Sequence, residues 1–320
     1  MRTTTWLIVR QHRFGFAMLA ASATAFVIGA LFLVWLHFGP AADCRAASLQ
    51  PNLTDQQLFD IAARCEQYAL PVQLGADFIG LTGVGLPLIA ALLLAAPLIA
   101  VELELGTATL AWSLARTRRS WLLPRMALVV VLTVGLGVAG GLLTDWLTAD
   151  LLIRGSPWES LSNYDSRGAM IAARTFLVAA AGLFGGALLG RQMPALVVAG
   201  ALAAAIGMGI TIENQGINRA NMVVLANDPS TGMYGESDLY IENRVQVIAT
   251  GEILTWDQLP MNSDPSSPEY QATYRDVSLG IPASQAGAVV WRNVAFYTGP
   301  GVVLLLLTLV IVERRRPYLS

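Results

Sequence analysis

The sequence predicts an all-α polytopic membrane protein of six transmembrane helices, with both termini cytoplasmic and a small mixed α/β external segment between helices five and six. Three observations carry this expectation. The 320 residues are 55% hydrophobic and only 13% charged, where an ordinary soluble domain is about 25% charged, and the mean hydropathy is +0.56. Six apolar runs each approach the ~20 residues that a helix needs to cross about 30 Å of hydrocarbon. The arginines flanking these runs cluster in alternate connections, as the bias of basic residues toward the cytoplasmic face requires.

The runs are 14–38, 78–100, 126–147, 169–189, 194–212 and 289–312. The first is longer than the apolar core of a signal peptide, so it reads as an anchor rather than a cleaved leader. Asp43, immediately before Cys44, spoils a lipoprotein cleavage site. Runs four and five are separated only by 190–193, which predicts a tight helical hairpin.

Orientation follows from the arginines. Arg2, Arg10 and Arg13 precede the first run, and Arg116, Arg118, Arg119 and Arg125 lie in 101–125. Arg191 sits in the 190–193 turn, and Arg314, Arg315 and Arg316 belong to the tail 313–320. Cytoplasmic termini place all of these groups inside. The connections 39–77, 148–168 and 213–288 then lie outside.

Both cysteines, Cys44 and Cys65, fall in the outer stretch 39–77. Facing an oxidising compartment they read as a disulfide, with two unrelated thiols as the alternative. In the same stretch Thr54 and Gln57 have capping-box spacing, and Leu58, Ile61, Cys65 and Tyr68 follow at helical intervals, which predicts a short amphipathic helix. The segment 213–288 holds many of the acidic residues. Its alternating stretch 239–249 reads as strand, and Asn227-Asp228-Pro229 and 263–268 read as turns. A small folded cap is expected there.

Composition also excludes chemistry. All twenty basic residues are arginine, so no P-loop lysine, Schiff-base lysine or lysine general base exists. The only histidines, His12 and His37, flank the first run, and no histidine-rich metal site or Ser–His pair can be built within the membrane. Glu102 and Glu104 stand two apart on different helix faces, a poor carboxylate dyad. A net charge of −2 and a pI near 5.7 argue against nucleic-acid binding. The chain is therefore expected to hold no cofactor and no metal, and to perform no catalysis of its own.

The informative segment is 101–125. Run two ends in Glu102 and Glu104, Gly106 permits a sharp change of direction, and Thr107 can cap a new helix. Leu110, Trp112, Leu114 and Trp121, with Arg116, Arg118 and Arg119 beside them, give an amphipathic element at the membrane edge. On spacing alone this element is either functional or a helix resting on the headgroups.

The pattern Glu102-x-Glu104-x-Gly106-Thr107, then Leu110-x-Trp112, then 116–119 with Trp121-Leu122, resembles the stretch between spans two and three of ABC-2-type transporter permeases, above all those of actinobacteria. Arg10-Gln11-His12-Arg13 before the first run is similar to those proteins as well. The resemblance implies the permease subunit of an ABC exporter in the plasma membrane. It implies a second permease copy or homologue, and two copies of a separate ATPase subunit that bind ATP and Mg. Carried over, Glu102, Glu104, Gly106 and Thr107 form an elbow and 109–119 a coupling helix seated on the ATPase. Residues 1–13, with Trp6, Arg10, His12 and Arg13, resemble the amphipathic connecting helix. The alternative is a membrane sensor or a lipid-modifying enzyme that uses the external cap.

Charges at membrane depth cost about 2.5 to 3.5 kcal/mol on insertion scales. Arg174 in run four and Asp145 in run three lie toward their outer ends. Arg174 either pairs with Asp145 or Asp150, or snorkels to the interface. Glycines at four-residue spacing, Gly182, Gly186 and Gly190, and Gly137 with Gly141, predict close helix packing.

Overall fold

The structure is a computed structural model that describes residues 13–39, 54–114, 117–151, 161, 168–225, 238–259 and 267–315. The chain divides into two compact units. The larger comprises residues 1–153, 165–208 and 294–320, and the smaller 154–164 and 209–293.

Helices dominate. In chain order they are α1 (Arg13–Phe38), α2 (Asp55–Glu104), α3 (Thr107–Leu114), α4 (Arg118–Leu151), α5 (Gly168–Leu189) and α6 (Gln192–Ala220), followed after a sheet by α8 (Ala286–Arg314). Among the described residues, five are long and apolar enough to cross a membrane, over Pro87–Glu104, Arg118–Leu142, Gly168–Leu189, Gln192–Ala220 and Ala283–Arg314. The first expected run is helical as α1, with an apolar segment at Val27–Leu36.

Three boundaries differ from expectation. The short outer helix and span two are one element: α2 runs 50 residues from its cap to Glu104. Its start is the expected one, since Thr54 and Gln57 form both hydrogen bonds of a capping box. Between them and run two the sequence places no paired turn residues, only the isolated Pro71 and Gly75, and membrane helices tolerate such breakers. The second difference is α6, which continues eight residues past 212 to Ala220. The third concerns the expected coupling helix 109–119. The helix there is α3, and Arg118 and Arg119 open α4 instead. Thr117 is the physical reason: its hydroxyl accepts from the Ser120 amide at 3.1 Å, while the Ser120 hydroxyl accepts from the Thr117 amide at 3.2 Å. This reciprocal cap fixes a fresh helix start.

The core of the larger unit gathers Ala91, Ala95 and Ile99 of α2, Leu122 and Met126 of α4, Ala179 and Leu183 of α5, and Val312 of α8. Glycine makes the closest crossings possible, as its spacing predicted. A Cβ on Gly186 would stand 2.5 Å from the Ala96 carbonyl oxygen, and one on Gly182 2.7 Å from the Ala95 Cβ. Between α4 and α5, Gly141 meets Gly168 backbone to backbone. Buried hydroxyls are satisfied within their own helices: Thr133, Thr175 and Thr308 each donate to the carbonyl four residues earlier.

The smaller unit contains an antiparallel sheet of order β1-β4-β2-β3, with β1 at Val223–Val224, β2 at Leu239–Val247, β3 at Ile253–Leu254 and β4 at Tyr274–Ile281. The expected strand at 239–249 is thus β2. A short helix α7 (Pro268–Thr273) precedes β4, started by Ser267 accepting from the Tyr270 amide. Leu161, Ile281, Ala286 and Val289 form this unit's own core with Leu239 and Ile241. The expected turns at 227–229 and most of 263–268 lie outside the described residues, as do Asp43 and Cys44 and hence the Cys44–Cys65 pairing.

Candidate functional site

The segment singled out by sequence is a sharp elbow. α2 closes with the Leu105 amide donating to the Val101 carbonyl, and Gly106 then takes φ +72, a left-handed conformation that glycine adopts at little cost. Thr107 does not cap α3 in the expected sense. Its hydroxyl donates backward to the Glu102 carbonyl at 3.2 Å, so it satisfies the end of α2 and holds the two helices at the bend. Leu105 and Leu110 are exposed there, at 70% and 65%.

Behind the elbow lies a buried ion pair. Arg125 donates through Nε and Nη2 to Glu102 Oε1 at 3.3 and 3.2 Å, with both side chains under a tenth exposed. A third N–H of Arg125 reaches the Trp121 carbonyl at 3.0 Å, and the guanidinium lies 4.6 Å over the Trp121 ring. Trp121 meets Trp112 of α3 edge to face with centroids 5.9 Å apart. Arg118 in turn covers the Trp112 ring at 4.7 Å. The result is a stack of two indoles flanked by two guanidiniums, Arg125–Trp121–Trp112–Arg118, each contact favoured by the ring quadrupole. It locks α3 onto α2 and α4.

The same layer collects helix ends. Arg118 donates to the Val312 and Glu313 carbonyls at the end of α8 and to that of Arg315 just beyond it, placing a cation where the helix dipole is negative. Arg119 pairs with Glu313 in an exposed bridge, a type worth about 0 to 1 kcal/mol. Arg315 donates to the Ala187 carbonyl at 2.6 Å near the end of α5. Its guanidinium fills the space a side chain would need at Gly190, whose φ of +63 closes that helix. Glu104 accepts from the Gln192 amide at 2.9 Å and so caps α6. These ties bring the end of α2, the start of α4, the end of α5, the start of α6 and the end of α8 to one face of the unit.

Sequence reasoning found Glu102, Glu104, Gly106, Thr107, Leu110, Trp112, Arg118, Arg119 and Trp121, and the structure gathers them. Arg116 and the connecting-helix residues Trp6, Arg10 and His12 lie outside the described residues, and of Arg13 only the backbone, at the start of α1, is described. Sequence reasoning missed Arg125, Gln192, Glu313 and Arg315 as partners. Arg125 carried one local signal, a charged residue following Pro124 inside an apolar helix. Elsewhere, Asp145 accepts from the Gly168 amide at 2.9 Å, and Arg174 lies 5.2 Å over the Tyr297 ring. No group of three or more metal-ligating side chains occurs among the described residues.

No curated protein and no solved structure matches the chain. The family described as ABC-2 membrane transporter related matches residues 23–213. That stretch includes the elbow, the ion pair, both indoles and the α5–α6 hairpin. With five apolar helices of spanning length among the described residues, a match over more than half of the sequence identifies a membrane protein of known kind: the chain belongs to the ABC-2 membrane transporter related family.

Proposed function

We propose that this chain is the permease subunit of an ABC-2-type exporter in the plasma membrane, driven by a separate ATPase that seats on α3. In this reading α1 supplies a sixth span, both termini are cytoplasmic, and 39–77, 148–168 and 213–288 lie outside, where Cys44 and Cys65 form a disulfide. Two permease chains, identical or homologous, pair with two ATPase subunits, which bind the ATP and Mg. Arg174 and Asp145 pair toward the outer side.

The observation that carries the reading is the elbow at Gly106. A short helix turned out of the end of α2 by a left-handed glycine presents exposed Leu110, with Leu105 exposed just before the turn, while its other side is fastened to α4 through Trp112 and Trp121. Such an element has a free apolar face for a partner and a rigid connection to the spans. The layer of helix ends supports the orientation, because Arg118, Arg119, Arg191, Arg314 and Arg315 all belong to it. Closure of the ATPase pair on ATP would displace α3 and shift the bundle between two arrangements.

The test is ATP turnover and co-purification when the chain is expressed with the ATPase of its own operon. Gly106→Pro and the double change Arg116→Glu/Arg119→Glu are expected to lose assembly or permease-dependent turnover. Wild-type behaviour of both variants, or no association of the ATPase at all, would remove the coupling assignment and direct attention to 213–288.

A further inference from the structure

Resting on the reading above, we infer that Arg118 is not a contact to the ATPase but the internal link by which movement of α3 reaches α8 and, beyond it, the α5–α6 hairpin. One side chain touches both elements: its guanidinium lies 4.7 Å over the Trp112 ring of α3 while its Nη1 donates to the last carbonyls of α8. These contacts join residues nearly two hundred positions apart in sequence.

The chemistry suits a link rather than a docking surface. The final carbonyls of a helix carry about half a negative charge between them and have no partner within the helix. A guanidinium offers several N–H donors in a rigid fork, and its flat face remains free to stack on an indole. Arg118 uses both properties at once and is half-buried, whereas Arg119 beside it points outward with its side chain 64% exposed. Adjacent arginines therefore separate into an inner and an outer role.

The path continues past α8. Arg315, whose carbonyl Arg118 holds, donates to Ala187 at the end of α5 and packs against Gly190. Gly190 and Arg191 alone separate α5 from α6. Glu104 returns the circuit to α2 by capping α6. A displacement of α3 is thus shared among all the spans whose ends meet in this layer, through backbone ends that cannot adjust independently.

The deciding experiment compares Arg118→Leu and Arg118→Lys in the chain co-expressed with its ATPase. Arg118→Leu is expected to retain the ATPase on purification, with the KM for ATP unchanged and the permease-dependent kcat reduced by about 2- to 30-fold, the range of coupling losses at internal positions. Arg118→Lys, which keeps a cation against the α8 carbonyls, recovers part of that loss. Release of the ATPase by Arg118→Leu, or an unaltered kcat, overturns the inference. A second measurement needs no ATPase, so it separates this inference from the exporter reading. Spin labels at Ser113 on α3 and Val310 on α8 of the chain alone should give a narrow distance distribution that broadens in Arg118→Leu. A distribution indifferent to the substitution shows that Arg118 does not link the two helices.

Discussion

Arg125 holds Glu102 in a buried ion pair at 3.2 Å between α4 and the last turn of α2, directly behind the Gly106 elbow. Both charges are withdrawn from solvent, so each depends on the other. Removing either alone strands a buried charge at a cost of about 3 to 5 kcal/mol. Glu102→Gln and Arg125→Met are each expected to lower the thermal midpoint of the detergent-purified protein sharply, and Glu102→Gln/Arg125→Met to recover much of the loss. A double variant no more stable than the singles would show that the pair does not act as a unit.

At Gly106 the cost of a side chain is conformational alone, since nothing lies within 4 Å of a Cβ there and φ is +72. Gly106→Ala should cost about 1 to 2 kcal/mol, the penalty of left-handed backbone for an L-residue. Proline, with φ fixed near −65°, cannot form the elbow. Fluorescence of Trp112, whose ring packs on Trp121 across the bend, reports the difference: near wild type in Gly106→Ala, changed in Gly106→Pro.

The glycines of the bundle divide by their surroundings. Gly186→Ala drives a Cβ to 2.5 Å from the Ala96 carbonyl and should destabilise by about 1 to 3 kcal/mol, as overpacking does. Gly207→Ala on α6 meets nothing within 4 Å and should be neutral or stabilising by up to about 1 kcal/mol through helix propensity. Equal thermal midpoints for the two variants would contradict the packing described.

In the smaller unit, burial pushes the Tyr270 phenol up to about 12, and its 3.0 Å hydrogen bond to Asp276 acts in the same direction. The folded state therefore keeps this proton after the unfolded chain, ionising near pH 10, has lost it. The stabilisation is complete below about pH 10 and declines as pH rises from there toward about 12. Difference titration of tyrosinate absorbance between wild type and Tyr270→Phe should show the missing group ionising near the upper end of this range. An ionisation near pH 10 would place Tyr270 in solvent instead.

What the sequence made legible was whatever is written locally. The Thr54–Gln57 capping box, the alternation that became β2, the turn at Gly106 and the short α5–α6 connection depend on neighbours within a few positions, and each stands where the pattern put it. Two local features went unread: Thr117 and Ser120 mark a helix start within the expected coupling segment 101–125, and nothing between the short outer helix and run two stops a helix, so α2 runs through both. The ties that organise the site were not legible, because Arg125 to Glu102, Glu104 to Gln192, Arg118 to the end of α8 and Arg315 to Ala187 join positions 23 to 197 residues apart. An arginine beside an apolar run reads as an interfacial charge until the carbonyl it reaches is known.

The 50 residues of α2 have a mechanical meaning of their own. At a 1.5 Å rise per residue such a helix is about 75 Å long when straight, more than twice the ~30 Å of bilayer hydrocarbon. A tilt of about 5° pivoting at Glu104 would sweep Thr54 through about 6 Å over that length. An angular change at the elbow too small to disturb side-chain packing beside it thereby becomes, at the far end of the same rod, a displacement the size of a small solute.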